Sequence, residues 1–286
     1  DVFLNSDEWF RGMEVSVGPD GAIYGLDWSD TGECHDHTGV HRTSGRIYKF
    51  HYKQNPVADL SALQNAADEP EAVLRHPNAW FARQWLRALS ERRLTHHKKT
   101  IQACEKLLAN QKEPASIRLR ALWALQAMGL AKPEALLEDP DEHIRTWAIR
   151  LLSEGWPIDT LFGPRKNLLP KGDPKLEKKF VELAKSDPSG LVRLALASTL
   201  QRLPVSSRGE LAQALAGRAE DAKDHNLPRM VWYGITPLAE SDPEALVGVA
   251  RATEWTSLRQ WVSRSLTDQA KEQPEGLQAL LSLIME

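Results

Sequence analysis

Two periodicities divide the chain. Over 13–17 apolar and polar residues alternate, Gly18-Pro19-Asp20-Gly21 supplies a tight turn, and 22–28 alternates again, which predicts a β-hairpin. Proline presets the backbone of the first turn position and Asp-Gly accommodates the rest. A polar stretch over 29–44 precedes another alternating run at 45–52, which would put Tyr48, Phe50 and Tyr52 on one face. Three or four strands result, too small a sheet to stand without something to pack on. Residues Asp1 to Leu4 read as the middle of a segment. The expectation for 1–54 is therefore a small antiparallel β unit cut from a larger sheet-rich domain.

From about Asn65 the period changes to 3.6. Six segments superpose: Trp80-Phe-Ala-Arg-Gln-Trp-Leu, Ser116-Ile-Arg-Leu-Arg-Ala-Leu, His143-Ile-Arg-Thr-Trp-Ala-Ile, Leu191-Val-Arg-Leu-Ala-Leu-Ala, Leu227-Pro-Arg-Met-Val-Trp-Tyr and Ser257-Leu-Arg-Gln-Trp-Val-Ser. Each sets an arginine just inside a helix ahead of an apolar stripe. The arginines are Arg83, Arg118, Arg145, Arg193, Arg229 and Arg259, at steps of 35, 27, 48, 36 and 30 residues. Such periods signify stacked helical pairs, and the long step holds Gly155-Trp-Pro and 163–170, a loop inserted near 155–172. The segments resemble HEAT repeats, so a mainly α fold is expected: a HEAT-like α-solenoid of about six repeats over 55–286. Asp139-Pro, Asp187-Pro and Asp242-Pro are expected to start helices, with aspartate as N-cap and proline at the first helical position. The repeated arginines are expected to bridge to the aspartate-bearing turns of neighbouring units, as structural residues. Trp85, Trp147 and Trp261 fall two residues after an arginine, and Trp123 and Trp232 lie on the same helices, all as core fillers.

Composition narrows the function classes. Thirty-six basic against thirty-nine acidic residues give a net charge of −3, no global field to draw in nucleic acid. No apolar run approaches the roughly 20 residues that span a bilayer. Two cysteines, Cys34 and Cys104, are too few for a disulfide framework. No Gly-rich phosphate loop, Gly-x-Ser-x-Gly or His-Glu-x-x-His occurs, so the chemistry of those motifs is not expected.

Candidate chemistry concentrates at 27–41. Cys34, His37 and His41 would suit zinc with one open position, whereas Asp27, Asp30 and Glu33 offer hard oxygens for calcium. The alternative is a polar loop of Asx-turns with Arg42 or Arg46 as counter-ion. Covalent haem is not expected, because Cys34-His35 has Thr31 where the first cysteine of Cys-x-x-Cys-His belongs. His96-His97 read as solvated, and Asp224-His225-Asn226 as a helix cap before Pro228.

The order Trp9-Phe-Arg, Val17-Gly-Pro-Asp-Gly-Ala-Ile-Tyr, Asp27-Trp-Ser-Asp, Gly32-Glu-Cys-His-Asp and Gly39-Val-His-Arg-Thr-Ser-Gly-Arg-Ile-Tyr resembles the closing blade of the propeller in membrane-bound, sugar- or sorbosone-dehydrogenase-like proteins of planctomycete and verrucomicrobial type. Val192-Arg-Leu-Ala-Leu-Ala-Ser and 224–234 resemble the HEAT region that follows it. The resemblance implies a β-propeller-blade remnant at the N-terminus, and a parent that is an exported, periplasmic or cell-surface redox enzyme of the PQQ type, often with a cytochrome c domain after the repeats. The chain would then be its interdomain scaffold, not catalytic by itself, contacting the propeller, the cytochrome or another protein. The alternative is a free-standing repeat adaptor for a protein partner.

Overall fold

The computed structural model describes residues 4, 6–29, 45–53, 57–91, 98–160, 163–165 and 172–285. The chain is mainly helical with one small antiparallel sheet. It forms two compact units, 1–131 and 132–286, so the change from strand to helix near residue 54 falls inside the first unit.

In the first unit β1 (Gly12–Val17), β2 (Ile23–Asp27) and β3 (Arg46–Phe50) form a meander in the order β1-β2-β3. The Gly21 N–H donates to the Gly18 carbonyl at 3.1 Å and the Gly18 N–H to the Ala22 carbonyl at 2.9 Å. Gly21 sits at φ +77°, a left-handed conformation without steric cost only for glycine. Ile23 pairs with Phe50 and Gly25 with Tyr48, so Tyr48 and Phe50 share a face, their rings stacked 6.0 Å apart. Tyr52 lies past the end of β3 and is exposed.

Helices α1 (Ser61–Gln64), α2 (Pro70–Leu74), α3 (Ala79–Ser90), α4 (Lys98–Ala109) and α5 (Ala115–Ala127) complete this unit. Phe81, Ala82, Trp85 and Leu89 give α3 one buried stripe. Trp85 and Leu89 join Val73, Cys104, Leu107 and Leu125 in the core, so truncating Trp85 to alanine would cost about 3–5 kcal/mol. Asn78 ties sheet to helices. Its Oδ1 caps α3 through the Trp80 N–H at 2.9 Å, while its Nδ2 donates to the Gly18 carbonyl of the hairpin turn at 2.8 Å.

In the second unit a 3₁₀ turn (Pro133–Leu136) leads into α6 (Glu142–Ser153), α7 (Pro174–Ser186), α8 (Gly190–Thr199), α9 (Arg208–Ala216) and α10 (Leu227–Ile235). Then come α11 (Leu238–Ser241), α12 (Pro243–Ala252), α13 (Thr256–Asp268) and α14 (Pro274–Met285). Packing follows two series: α6 on α8, α8 on α10 and α10 on α13; and α7 on α9, α9 on α12 and α12 on α14. Leucine and alanine fill the core, with Phe180 and Trp255 its buried aromatics. The contact of α10 with the 3₁₀ turn that follows α8 (Leu200–Arg202) is close enough to demand glycine: a Cβ on Gly234 would come within 2.3 Å of Leu200 Cβ.

The helix starts correct one expectation. Asp242 does cap α12, and Asp173, also followed by proline, caps α7. Asp139 and Asp187 do not cap: the caps are Asp141 on α6 and Ser189 on α8, two residues later. The reason is local, since in Asp139-Pro-Asp141 and Asp187-Pro-Ser189 a second capping side chain follows the proline, whereas Glu244 and Lys175 fill that place in the other two. A displaced cap leaves the first aspartate available for other partners.

Candidate functional site

Asp187, freed from capping, joins a ladder of buried ion pairs that runs on to Asp221. Arg145 on α6 forks onto Asp187, Nε to Oδ2 at 2.7 Å and Nη2 to Oδ1 at 2.9 Å, while its Nη1 donates to the Asp139 carbonyl six residues upstream at 2.8 Å. Arg193 on α8 repeats the pattern one unit on: its Nη2 donates to Asp221 Oδ1 at 2.7 Å and its Nη1 to the Asp187 carbonyl at 2.8 Å. Asp187 is the node, accepting from Arg145 by side chain and from Arg193 by backbone, with the Ser189 N–H on Oδ1 at 2.9 Å. The hydrogen bond donated to each carboxylate is the first cause holding Arg145 and Arg193 above the usual arginine range, against the opposing effect of burial. Both therefore remain charged, and two-pronged geometry of this kind fixes register as well as charge.

The other four aligned arginines behave differently. Arg118 is buried and its Nε donates to the Leu108 carbonyl at 2.9 Å, inside its own helical pair. Arg83, Arg229 and Arg259 are exposed, so they are not bridges between layers. At the second segment the bridge is Arg120, whose Nη1 donates to the Leu74 and His76 carbonyls at 2.8 and 2.9 Å. Arg208 escapes the alignment altogether. It is 1% exposed and forks onto Asp159 at 2.6 and 3.0 Å, with further bonds to the Leu203 and Gly234 carbonyls. Its carboxylate lies in the inserted segment, off the repeat period, so no periodic signal could have found it. Where Arg229 might have continued the ladder, the Trp255 indole Nε1 donates to the Arg218 carbonyl at 3.0 Å, and Arg218 reaches back to the Lys185 and Asp187 carbonyls.

Of the residues with candidate metal chemistry, Asp30, Glu33, Cys34, His37 and His41 lie outside the described residues. Asp27 is described and is an anchor: Oδ1 accepts the Arg11 and Ser29 N–H groups at 2.8 and 2.9 Å, and Oδ2 takes Arg46 Nε at 2.8 Å. Burial pushes its carboxyl up, but those two N–H groups and Arg46 outweigh it and hold the carboxyl below the usual range. Arg46 also pairs with Asp7 at 2.6 Å. At the other end of the sheet Lys49 pairs with Asp20 at 2.6 Å. At α10 the N-cap position is Asn226, with no side-chain cap bond, while Asp224 two residues earlier accepts the Asn226 and Leu227 N–H groups at 2.8 and 2.7 Å.

The sheet presents the most unusual surface. Every residue of β1 is exposed, Val15 at 72% and Met13 at 65%. A hollow of about 820 Å³ over the sheet is lined by Phe10, Met13, Val15, Ile23, Tyr48 and Phe50. Isolated apolar side chains on a surface are ordinary, but a contiguous patch marks a contact site. No helix among the described residues is long and apolar enough to cross a membrane. Neither models of known protein families nor curated proteins yield a match to this chain.

Proposed function

We propose that this chain is an interaction scaffold, not catalytic by itself: an α-solenoid of HEAT-type repeats carrying a small sheet that packs against a neighbouring β-rich domain. The observation that carries the reading is the uncovered apolar sheet face beside helices whose own cores are filled. A three-stranded sheet is marginal alone, and an apolar face whose edge strands β1 and β3 have no further strand beside them among the described residues is completed most simply by further strands. The blade-like residues of 1–52 make that neighbour a β-propeller, and the resemblance to sugar-dehydrogenase-like proteins makes the parent an exported, periplasmic or cell-surface redox protein with a cytochrome c partner. The ladder from Asp139 to Asp221 suits a scaffold, because it fixes how successive helical layers are set.

The 27–41 segment is proposed to hold zinc through Cys34, His37 and His41 or calcium through Asp30 and Glu33. Elemental analysis of the folded chain should find close to one equivalent, lost in Cys34→Ala/His37→Ala for zinc or Asp30→Ala/Glu33→Ala for calcium. A folded, metal-free protein would exclude both.

The free-standing adaptor is the second reading, favoured by exposed arginines on α10 and α13. The size and visible spectrum of the native polypeptide, isolated with an antibody to this chain, separate the two. A product far larger than 32 kDa with a haem c band supports the redox scaffold; a colourless product of 32 kDa supports the adaptor.

A further inference from the structure

The two helix series of the second unit differ in charge. Helices α6, α8, α10 and α13 hold six arginines and only two carboxylates, Glu142 at the first residue of α6 and Asp268 at the last of α13. Glu142 is bonded to the Ser189 hydroxyl. The opposite series is nearly balanced: Glu177, Glu182, Glu210, Glu244 and Glu275 are set against four lysines of α7, Arg208 and Arg251. Arg145 and Arg193 are taken by the ladder, which leaves Arg150, Arg229, Arg259 and Arg264 exposed on the basic series. No carboxylate pairs with Arg229 or Arg259 among the described residues. Tyr233, 56% exposed, follows Arg229 by one helical turn, and Leu191 and Leu194 show on α8.

We propose that this face of α6, α8, α10 and α13 binds an acidic protein segment carrying apolar side chains. Arginine, tyrosine and tryptophan are the side chains that dominate protein contacts, and a face with unpaired guanidinium groups selects carboxylates by charge. A single-stranded nucleic acid would use arginines and aromatic rings too, but it needs open rings on which to stack. Here Arg150 already covers the Trp147 ring at 4.2 Å and Trp232 lies against Trp261 at 6.0 Å, which leaves Tyr233 as the one exposed tyrosine, tryptophan or phenylalanine ring on these helices, short of the succession of rings a strand stacks on, and this favours a peptide. The inference deepens the scaffold reading and rests on it.

The test is fluorescence anisotropy of the whole chain with a short labelled peptide alternating glutamate and leucine, and with its lysine–leucine counterpart. The acidic peptide should bind about tenfold or more tightly than the basic one at low salt, and Arg229→Glu/Arg259→Glu should remove about that advantage. Lys178→Glu/Lys185→Glu on α7 should leave it intact, and Arg229→Gln/Arg259→Gln, with melting followed by circular dichroism, guards against loss of fold. Equal binding of both peptides, or equal loss from the α7 reversal, would overturn the proposal. So would an oligothymidylate that displaces the peptide through the same arginines. Protection of the β1 amides in the native protein tests the scaffold reading independently.

Discussion

Arg193 and Asp221 form a buried two-pronged ion pair that joins α8 to the turn before α10, and the remaining Arg193 nitrogen closes onto the Asp187 carbonyl. Removing one member strands a charge away from water, whereas replacing both by apolar groups of similar volume removes the desolvation cost with the attraction. Arg193→Ala should therefore lower the unfolding free energy by about 3–5 kcal/mol, read from the urea midpoint, and Arg193→Met/Asp221→Leu should recover most of that loss. An unchanged midpoint in Arg193→Ala would show that the ladder ties nothing.

Asp27 makes the sheet acid-sensitive. Its folded-state carboxyl lies below the unfolded value of about 3.9, so its stabilisation is fully present above that pH and is lost as pH falls through the folded value. Asp7, held low by the Trp9 N–H and Arg46, and Asp20, held low by Lys49, act in the same direction. The β1 and β2 amide signals in a two-dimensional NMR titration should stay dispersed down to about pH 4 and collapse below it. In Asp27→Asn they should weaken at neutral pH as well; an identical titration of both proteins would contradict the anchoring role.

Cys104 reports on the first unit. Burial pushes its thiol up to about 12, so at pH 8 about one molecule in ten thousand carries the reactive thiolate. In a Cys34→Ser background the native protein should resist a disulfide reagent that reacts fully after denaturation. Rapid reaction of the native protein would mean that the α2–α5 core opens readily.

The hairpin was legible because Gly18-Pro19-Asp20-Gly21 can only turn, and the helices because their apolar stripes keep a 3.6-residue period. Arg145 and Arg193 were legible as bridges because their partners recur with them. The same alignment misled at Arg229, where the neighbouring turn offers Trp255 and no aspartate fork, and at Arg83 and Arg259, which are exposed. It missed Arg208 because Asp159 lies in an insertion. Asp139 and Asp187 have the sequence of caps, but the capping side chain that follows each proline, Asp141 and Ser189, takes the position. The exposure of β1 could not be read from alternation, which marks which residues share a face and not whether the face is covered.

The scaffold account stands on the open sheet face being a contact surface. Hydrogen exchange of the 12–17 amides, compared between the isolated chain and the polypeptide as purified from its natural source, tests that most directly. The account predicts rapid exchange in the isolated chain and strong protection of β1 in the native protein, with the core amides of α8 and α12 equally protected in both. Equal, rapid exchange of β1 in both would contradict it.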